Sequence, residues 1–306
     1  MHASKRITFL AAGLWLAACL VGSIFPWDVV DRARLGMDEV HSVLSMADQT
    51  KAAERIFLVG SSPIVLGISA KEIERRTGVP TFNIGINDSA EFFDDYMGRI
   101  LPHIRKGDIV VVSDPRWLDP LRLKLAPGCT ERLAGNCLGW WFGTLPHLSL
   151  AGRFILGLHQ SIGPTRIDRD AHGDNDALDP SRSHKPFDTM RPPAQIATAD
   201  VKQMTQIVDE LRRHDACPLL ALGPVFVSER EEMSWNSQIG ALQSAMSKSG
   251  YGRFLLADDV FKTDPADFLN SYEHPSAVGR RNWTNQVIAR LTDHVLGPCI
   301  SITAAD

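Results

Sequence analysis

The sequence has no long run of basic residues and no excess of positive charge. Its 306 residues include 32 Lys and Arg against 36 Asp and Glu, which gives a formal net charge of −4. Proteins that bind the nucleic-acid backbone usually present a basic surface, so nucleic acid is not an expected partner. With 44% hydrophobic and 22% charged residues, the chain is predicted to be globular rather than disordered, collagen-like or coiled-coil.

Motifs for metal ions and phosphate-bearing cofactors are also missing. The sequence contains no C-x-x-C pair and no histidines at zinc-ligand spacing. The aspartates between positions 168 and 179 do not follow the spacing of an EF-hand loop, and we interpret them as part of a solvated loop. A flavodoxin-like phosphate or nucleotide binder is disfavoured because no glycine-rich, phosphate-cradling run is present. We therefore predict neither a metal site nor a cofactor.

Charged residues are absent from residues 7–25, which follow Lys5 and Arg6. Such a run is about long enough to cross a bilayer, and the basic flank is expected to stay cytoplasmic. Residues 1–28 are therefore predicted to be an N-terminal signal anchor. It would make the chain a single-pass protein of the bacterial inner membrane, with its body in the periplasm. The four residues that end at Cys19 resemble a lipobox, so a lipoprotein anchored at Cys19 is the alternative.

Only five cysteines are present, and four of them follow the anchor. An even number in an exported domain predicts disulfides rather than free thiols. Cys129 and Cys137 bracket a short loop rich in turn-forming residues, so we pair them. This leaves Cys217 to pair with Cys299.

Short apolar runs alternate with amphipathic stretches after a polar, helical connector at residues 29–54. Strands are predicted at residues 55–59, 79–86, 108–113, 219–226 and 254–258, and helices at 69–77, 89–104, 197–214, 231–248 and 276–294. Ser69 and Glu72 form a capping-box pattern at the first of these helices. The alternation predicts an α/β domain at residues 55–300, with a parallel sheet covered on both faces.

Residues 117–195 do not fit this alternation. Their second part, residues 160–195, is rich in Pro, Asp, Arg and Ser. We interpret the segment as an insertion that contains a long mobile loop, since loops of this length are usually functional or disordered.

Polar residues follow several predicted strands, at the sheet edge where ligands of parallel α/β proteins bind. Gly60-Ser61-Ser62 follows the first strand, and Gly85 and Asn87 lie at the end of the second. His274 comes just before the last helix. A serine, backbone donors and a histidine are therefore expected to meet at one rim of the sheet.

These segments resemble the SGNH (GDSL-like) hydrolase superfamily, particularly its exported branch, which acts on cell-surface polysaccharides and includes acyltransferase-like members. Residues 58–62 (LVGSS) look like the family's first block, residues 82–85 (FNIG) look like its second, and His274 looks like its last. The resemblance implies a flavodoxin-like three-layer sandwich of the SGNH-hydrolase type. It also implies that Ser62 is the nucleophile, His274 the general base and the Gly85 N–H an oxyanion donor.

The family places an aspartate three residues before the histidine, where this chain has Ser271. Asn270 or Glu273 is therefore the candidate partner that orients the ring, with Asp267 as a further candidate. An uncharged partner would stabilise the imidazolium poorly, so slow turnover is expected.

The family's third block is also absent after the third strand, so Asn87 or Arg116 is the candidate for a second oxyanion donor. Ser61, Arg116 and Trp117 are candidate substrate-binding residues.

The sequence thus predicts a membrane-anchored, extracytoplasmic serine esterase or O-acyltransferase without a cofactor. Its substrate would be an acylated carbohydrate of the cell envelope or of an exported polysaccharide. The alternative is a catalytically inactive relative that binds or scaffolds within a polysaccharide assembly or export complex. In that case the other proteins of that complex would be its partners.

Overall fold

The computed structural model describes residues 37–86, 93–113, 169–174, 198–227, 229–248, 261–262, 264–268 and 274–294. All of them belong to one compact unit, Leu35–Pro120 with Ile167–Asp306. The second unit, Met1–Arg34 with Leu121–Arg166, lies outside the described residues, as do the predicted anchor and Cys19. None of the described helices combines the length and the hydrophobicity that a membrane span requires.

Four parallel strands form the central sheet, as the alternating pattern predicts. They are β1 (Ile56–Gly60), β2 (Thr81–Asn83), β3 (Ile109–Ser113) and β4 (Cys217–Leu220). Their order across the sheet is β2-β1-β3-β4. Ile56 lies opposite both Thr81 and Ile109, and Ile109 lies opposite Cys217, so the strands begin at one edge of the sheet and end at the other.

Seven described helices accompany these strands. They are α1 (Met37–Gln49), α2 (Ser62–Gly67), α3 (Ala70–Thr77), α4 (Phe93–Ile100), α5 (Thr198–Arg213), α6 (Glu229–Lys248) and α7 (Ala277–His294). Two 3-10 turns, Leu101–His103 and Pro265–Asp267, follow α4 and precede α7. A separate parallel pair consists of β5 (Val225–Phe226) and β6 (Phe261–Lys262).

Helices pack on both faces of the sheet. Successive residues of a strand point to opposite faces, so each strand contributes to two cores. Phe57 and Val59 of β1 face the core that contains residues of α1, α4, α5 and α6. Ile56 and Leu58 face a second core, shared with α2, α3 and α7. The fold is therefore α/β, with every residue of β1 buried.

Two predicted elements differ in the structure. The strand predicted at 219–226 is divided into β4 and β5, which belong to different sheets. The interruption contains Pro224, whose nitrogen carries no hydrogen to donate to a ladder. The strand predicted at 79–86 is limited to the three residues of β2. The Gly60-Ser61-Ser62 segment leads straight into α2, with Pro63 in the first helical turn, where proline is well tolerated. The strand predicted at 254–258 lies outside the described residues.

Part of the predicted insertion is packed against the sheet rather than solvated. The side chain of Asp174 is fully buried, and its carboxylate accepts hydrogen bonds from Ser69 Oγ (2.8 Å), Ala70 N (2.8 Å) and Lys71 N (3.0 Å). The interpretation of a solvated loop is therefore wrong for this residue. The cause is the N-terminus of α3, whose unpaired N–H groups and dipole favour an anion.

The predicted cap of α3 is also present. Ser69 is the N-cap, and its Oγ accepts from Glu72 N at 3.2 Å. In a complete capping box, the side chain of Glu72 would accept a hydrogen bond from the Ser69 N–H. Here Ser69 N donates instead to Thr284 Oγ1 of α7 at 3.1 Å.

Cys217, at the start of β4, is disulfide-bonded, in agreement with the prediction that the cysteines are oxidised. Cys299, its predicted partner, lies outside the described residues. The same is true of Cys129 and Cys137.

Candidate active site

The candidate site lies where the crossover connections of the sheet change side. The connection that leaves β1 runs through α2 and α3, which pack on one face, whereas the connection that leaves β3 runs through α5 on the other face. Neighbouring strands whose connections diverge in this way leave a crevice at their carboxyl ends, which is the usual ligand site of parallel α/β folds. Ser62 is the first residue of α2 and therefore lies at this position.

The close approach of β1 and β3 at this point requires glycine. A Cβ atom on Gly60 would lie 2.1 Å from the Ser113 carbonyl oxygen and 2.7 Å from Ile64 Cγ1. A larger residue would push β3 or α2 away. Glycine at position 60 is therefore needed for the observed position of Ser62 at the start of α2.

Ser62 and His274 are brought together, although 212 positions separate them in the sequence. The Ser62 Oγ and His274 Nε2 atoms are 3.0 Å apart, which is hydrogen-bond distance. The hydroxyl of a nucleophile and the imidazole of its general base require this contact.

The loop that carries His274 is held at both ends. Phe268 and Pro275 form an antiparallel bridge, and Ser276 N donates to the Asp267 carbonyl at 2.7 Å. Ser276 Oγ accepts from Gly279 N at 3.2 Å and so caps α7. His274 is therefore fixed just before the start of α7, a helix whose inner face is buried.

Burial lowers the pKa of the His274 imidazole below its usual value. Desolvation disfavours the charged form of the ring, so the neutral form predominates at pH 7. A neutral imidazole has an unprotonated nitrogen, and Nε2 can then accept the Ser62 proton.

Gly85, the predicted oxyanion donor, lies against α2. A Cβ atom on Gly85 would meet side-chain and backbone atoms of Ile64 and Val65 at 2.9–3.1 Å. Its N–H donates to Asn83 Oδ1 at 3.2 Å. The predicted role of Gly85 would therefore require this N–H to exchange the Asn83 amide for a substrate oxygen.

Ser61, a predicted substrate-binding residue, is buried beside the nucleophile. It is 2% exposed, and its Oγ has no hydrogen-bond partner among the residues that the structure describes. A buried hydroxyl without a partner costs free energy, and a ligand atom that reached it would remove this cost.

Three residues of the region were not singled out from the sequence. Ser113 ends β3, and its Oγ is 3.8 Å from the position that a Cβ of Gly223 would occupy. Tyr96 donates its hydroxyl hydrogen to the Ile84 carbonyl. Arg169 donates to the Gly85 carbonyl at 2.6 Å. No local pattern marks the last two, because each binds backbone atoms of a distant segment.

The remaining predicted site residues lie outside the described residues. They are the candidate histidine partners Asn270 and Glu273, the candidate oxyanion donors Asn87 and Arg116, and Trp117. Asp267 is described, and its Oδ1 accepts from Asn282 Nδ2 at 3.1 Å. Within the part of the chain that the structure describes, no three His, Cys, Asp or Glu side chains are grouped closely enough to hold a metal ion.

Comparison with protein families and with curated proteins gives no match. No protein-family model matches the chain, and none of the curated proteins matches it. The function is therefore inferred from the sequence pattern and from the site itself.

Proposed function

We propose that this protein is an SGNH-like serine esterase or O-acyltransferase, anchored in the bacterial inner membrane with its α/β domain outside the cytoplasm. Its substrate would be an acyl ester on a cell-envelope or exported polysaccharide. The observation that carries the proposal is the 3.0 Å contact between Ser62 Oγ and His274 Nε2. The lowered pKa of His274, which favours a neutral base, supports it.

The chemistry would be acyl transfer through a covalent intermediate. His274 Nε2 takes the Ser62 proton while the Oγ attacks the ester carbonyl carbon, and the carbonyl becomes a tetrahedral oxyanion. The ester C–O bond then breaks, and the imidazolium returns its proton to the leaving sugar oxygen. The acyl group on Ser62 passes to water in hydrolysis, or to another sugar hydroxyl in transfer.

Backbone donors near Ser62 would stabilise the oxyanion. The Ser62 N–H stands at the first position of α2, where helix geometry provides no intrahelical acceptor. The Gly85 N–H would be the second donor once it leaves Asn83. Each such donor is worth on the order of 3 kcal/mol of barrier, so an enzyme that depends on one preformed donor is expected to be slow.

The topology is in keeping with the family resemblance. The order β2-β1-β3-β4 is that of flavodoxin-like doubly wound sheets, and helices cover both faces. We propose that the domain is a three-layer sandwich of the SGNH-hydrolase type, preceded by a transmembrane helix at its N-terminus.

An inactive scaffold or binding protein of a polysaccharide assembly or export complex is the second candidate. It is favoured by the Gly85 N–H, which is bonded to Asn83, and by Ser271 at the position where the family has aspartate. Such a protein would bind a glycan without turning over its esters.

The test is ester turnover with an acylated oligosaccharide, with purified wild type and Ser62→Ala compared. The proposal predicts that wild type releases the acyl group, or moves it to a second sugar, and that Ser62→Ala loses this activity by at least about a thousandfold. Binding of the oligosaccharide by both proteins, with no release by either, would favour the scaffold instead.

A further inference from the structure

Arg169 connects the insertion to the loop that follows β2. Its Nη2 donates to the Gly85 carbonyl at 2.6 Å, and its Nη1 donates to the Asn83 carbonyl at 3.3 Å. The same segment is held along β2, because Asn83 N donates to the His172 carbonyl at 2.6 Å. Residues 169–174 thus occupy the edge of the sheet next to the loop that contains Gly85, the candidate oxyanion donor.

The contacts of Arg169 are unusual for a half-buried cation. Among the described residues, no carboxylate oxygen lies within ion-pair distance of its guanidinium, and its buried Nε has no acceptor. Burial lowers the pKa of this guanidinium, whereas Tyr96 and the carboxylates of Glu39 and Asp174 act in the opposite direction. A cation that donates to carbonyl oxygens and makes no direct ion pair with a described residue is a costly way to stabilise a fold, which favours a positional role for Arg169.

The Asn83–Gly85 loop is bonded at every carbonyl. Tyr96 donates to the Ile84 carbonyl, between the two carbonyls that Arg169 holds. Ile86 N donates to the Gly60 carbonyl at 2.8 Å, immediately before the Ser61-Ser62 pair. The peptide planes on both sides of Gly85 are therefore fixed relative to β1, the strand that precedes Ser62.

The geometry points to Arg169 as a positioning residue. It holds the peptide groups before and after the one that carries the Gly85 N–H, so that this N–H lies beside α2 and can serve an oxyanion formed at Ser62. This inference rests on the proposed function. It also gives the insertion a role, because the segment that supplies Arg169 belongs to it.

The test compares three variants, Arg169→Met, Arg169→Lys and the control His172→Gln. Methionine keeps much of the side-chain volume but donates no hydrogen bonds. Lysine keeps the charge but lacks the planar fork that reaches two carbonyls. The His172 ring faces Glu74 and Asp170 at 3.5 and 3.7 Å, and its substitution leaves the backbone contact to Asn83 in place.

Hydrogen exchange of the peptide that contains residues 83–86 is the first readout, because it does not depend on activity. Arg169→Met is expected to exchange about tenfold faster there, with β3 and α7 unchanged, whereas His172→Gln is expected to match wild type. Equal exchange in Arg169→Met and wild type would overturn the positional role.

Ester kinetics are the second readout. Arg169→Met is expected to lower kcat about tenfold or more while KM changes by less than about twofold, since a loss of orientation affects the transition state rather than ground-state binding. Arg169→Lys should recover part of kcat. An unchanged kcat in Arg169→Met would overturn the inference even if exchange increases.

The two proposals fail in different ways. If wild type neither turns over esters nor reacts with a fluorophosphonate, the enzymatic function is overturned, and with it the catalytic part of the role of Arg169. The exchange measurement still decides whether Arg169 holds the loop.

Discussion

At the scale of single residues, the proposed chemistry depends on one neutral imidazole beside one hydroxyl. The His274 ring is partly buried, so its surroundings favour the uncharged form that a general base needs. The hydroxyl of Ser62 is weak as a nucleophile until that base removes its proton.

The lowered pKa of His274 predicts the pH dependence of the reaction. A protonated ring cannot accept the Ser62 proton, and the pKa of the His274 ring is below the usual value of 6.5. We expect the acidic limb of the kcat/KM profile for p-nitrophenyl acetate to have its midpoint below about 6.5. A midpoint above that value would mean that a carboxylate stabilises the imidazolium, contrary to this account.

Gly60 allows a second prediction at this scale. Its substitution by alanine places a methyl group 2.1 Å from the Ser113 carbonyl oxygen, and backbone must move to accept it. Gly60→Ala is expected to lower the free energy of unfolding by about 3 kcal/mol, measured by urea denaturation.

Gly98 provides the matched control, because a Cβ atom there would meet nothing within 4 Å. It is an exposed position in the helix α4, where alanine is favoured over glycine by up to about 1 kcal/mol. Equal destabilisation by Gly60→Ala and Gly98→Ala would contradict the steric argument.

Ser62 and His274 can be predicted from the sequence because each lies next to a recognisable boundary between elements. Arg169 and Tyr96 cannot, because each acts through backbone carbonyls of another segment, 84 and 12 residues away for Gly85 and Ile84. Asp174 is misjudged for a related reason. In a segment rich in charge, nothing local distinguishes a carboxylate that caps a helix from one in water.

At the scale of elements, the N-terminus of α3 links the insertion to the sheet. Asp174 accepts from two backbone N–H groups of this helix and from Ser69 Oγ. Arg280 of α7 lies 3.5 Å from the same carboxylate. One acidic side chain therefore joins α3, α7 and residues 169–174.

Asp174→Asn removes the charge from this junction and retains the size of the side chain. We expect a loss of about 1–3 kcal/mol in the free energy of unfolding, measured by urea denaturation at constant slope. Arg75→Ala on the same helix is the control, since the Arg75–Glu72 pair is exposed and should contribute little. If both variants unfold at the wild-type midpoint, the Asp174 cap does not stabilise the fold.

Apolar periodicity predicts most helices and the four parallel strands, because buried strands need continuous apolar runs. It does not predict where an apolar run is divided between two strands. The division between β4 and β5 depends on Pro224 and on a second, two-stranded sheet, and the partner strand β6 is too short to give a pattern of its own.

At the scale of the whole molecule, the proposed function places the α/β domain outside the cytoplasm, with the predicted anchor in the membrane. The disulfide at Cys217 agrees with an oxidising compartment. The run at residues 7–25 is predicted to hold the domain at the membrane.

Fractionation of cells that express the full chain tests this arrangement. We expect wild type and Cys19→Ser to remain with the membrane, and a chain that lacks residues 1–28 to be released from it. Release of Cys19→Ser into the soluble fraction would instead show that a lipid on Cys19 is the anchor.

The most direct test of the central claim is covalent labelling of the folded protein with a fluorophosphonate, followed by peptide mapping. The account predicts one adduct, on Ser62 rather than on its neighbour Ser61. It also predicts that labelling is lost in Ser62→Ala, strongly reduced in His274→Asn and absent from unfolded protein. A wild type that remains unlabelled, or a Ser62→Ala variant that is labelled as fast as wild type, would contradict the claim that Ser62 is activated by His274.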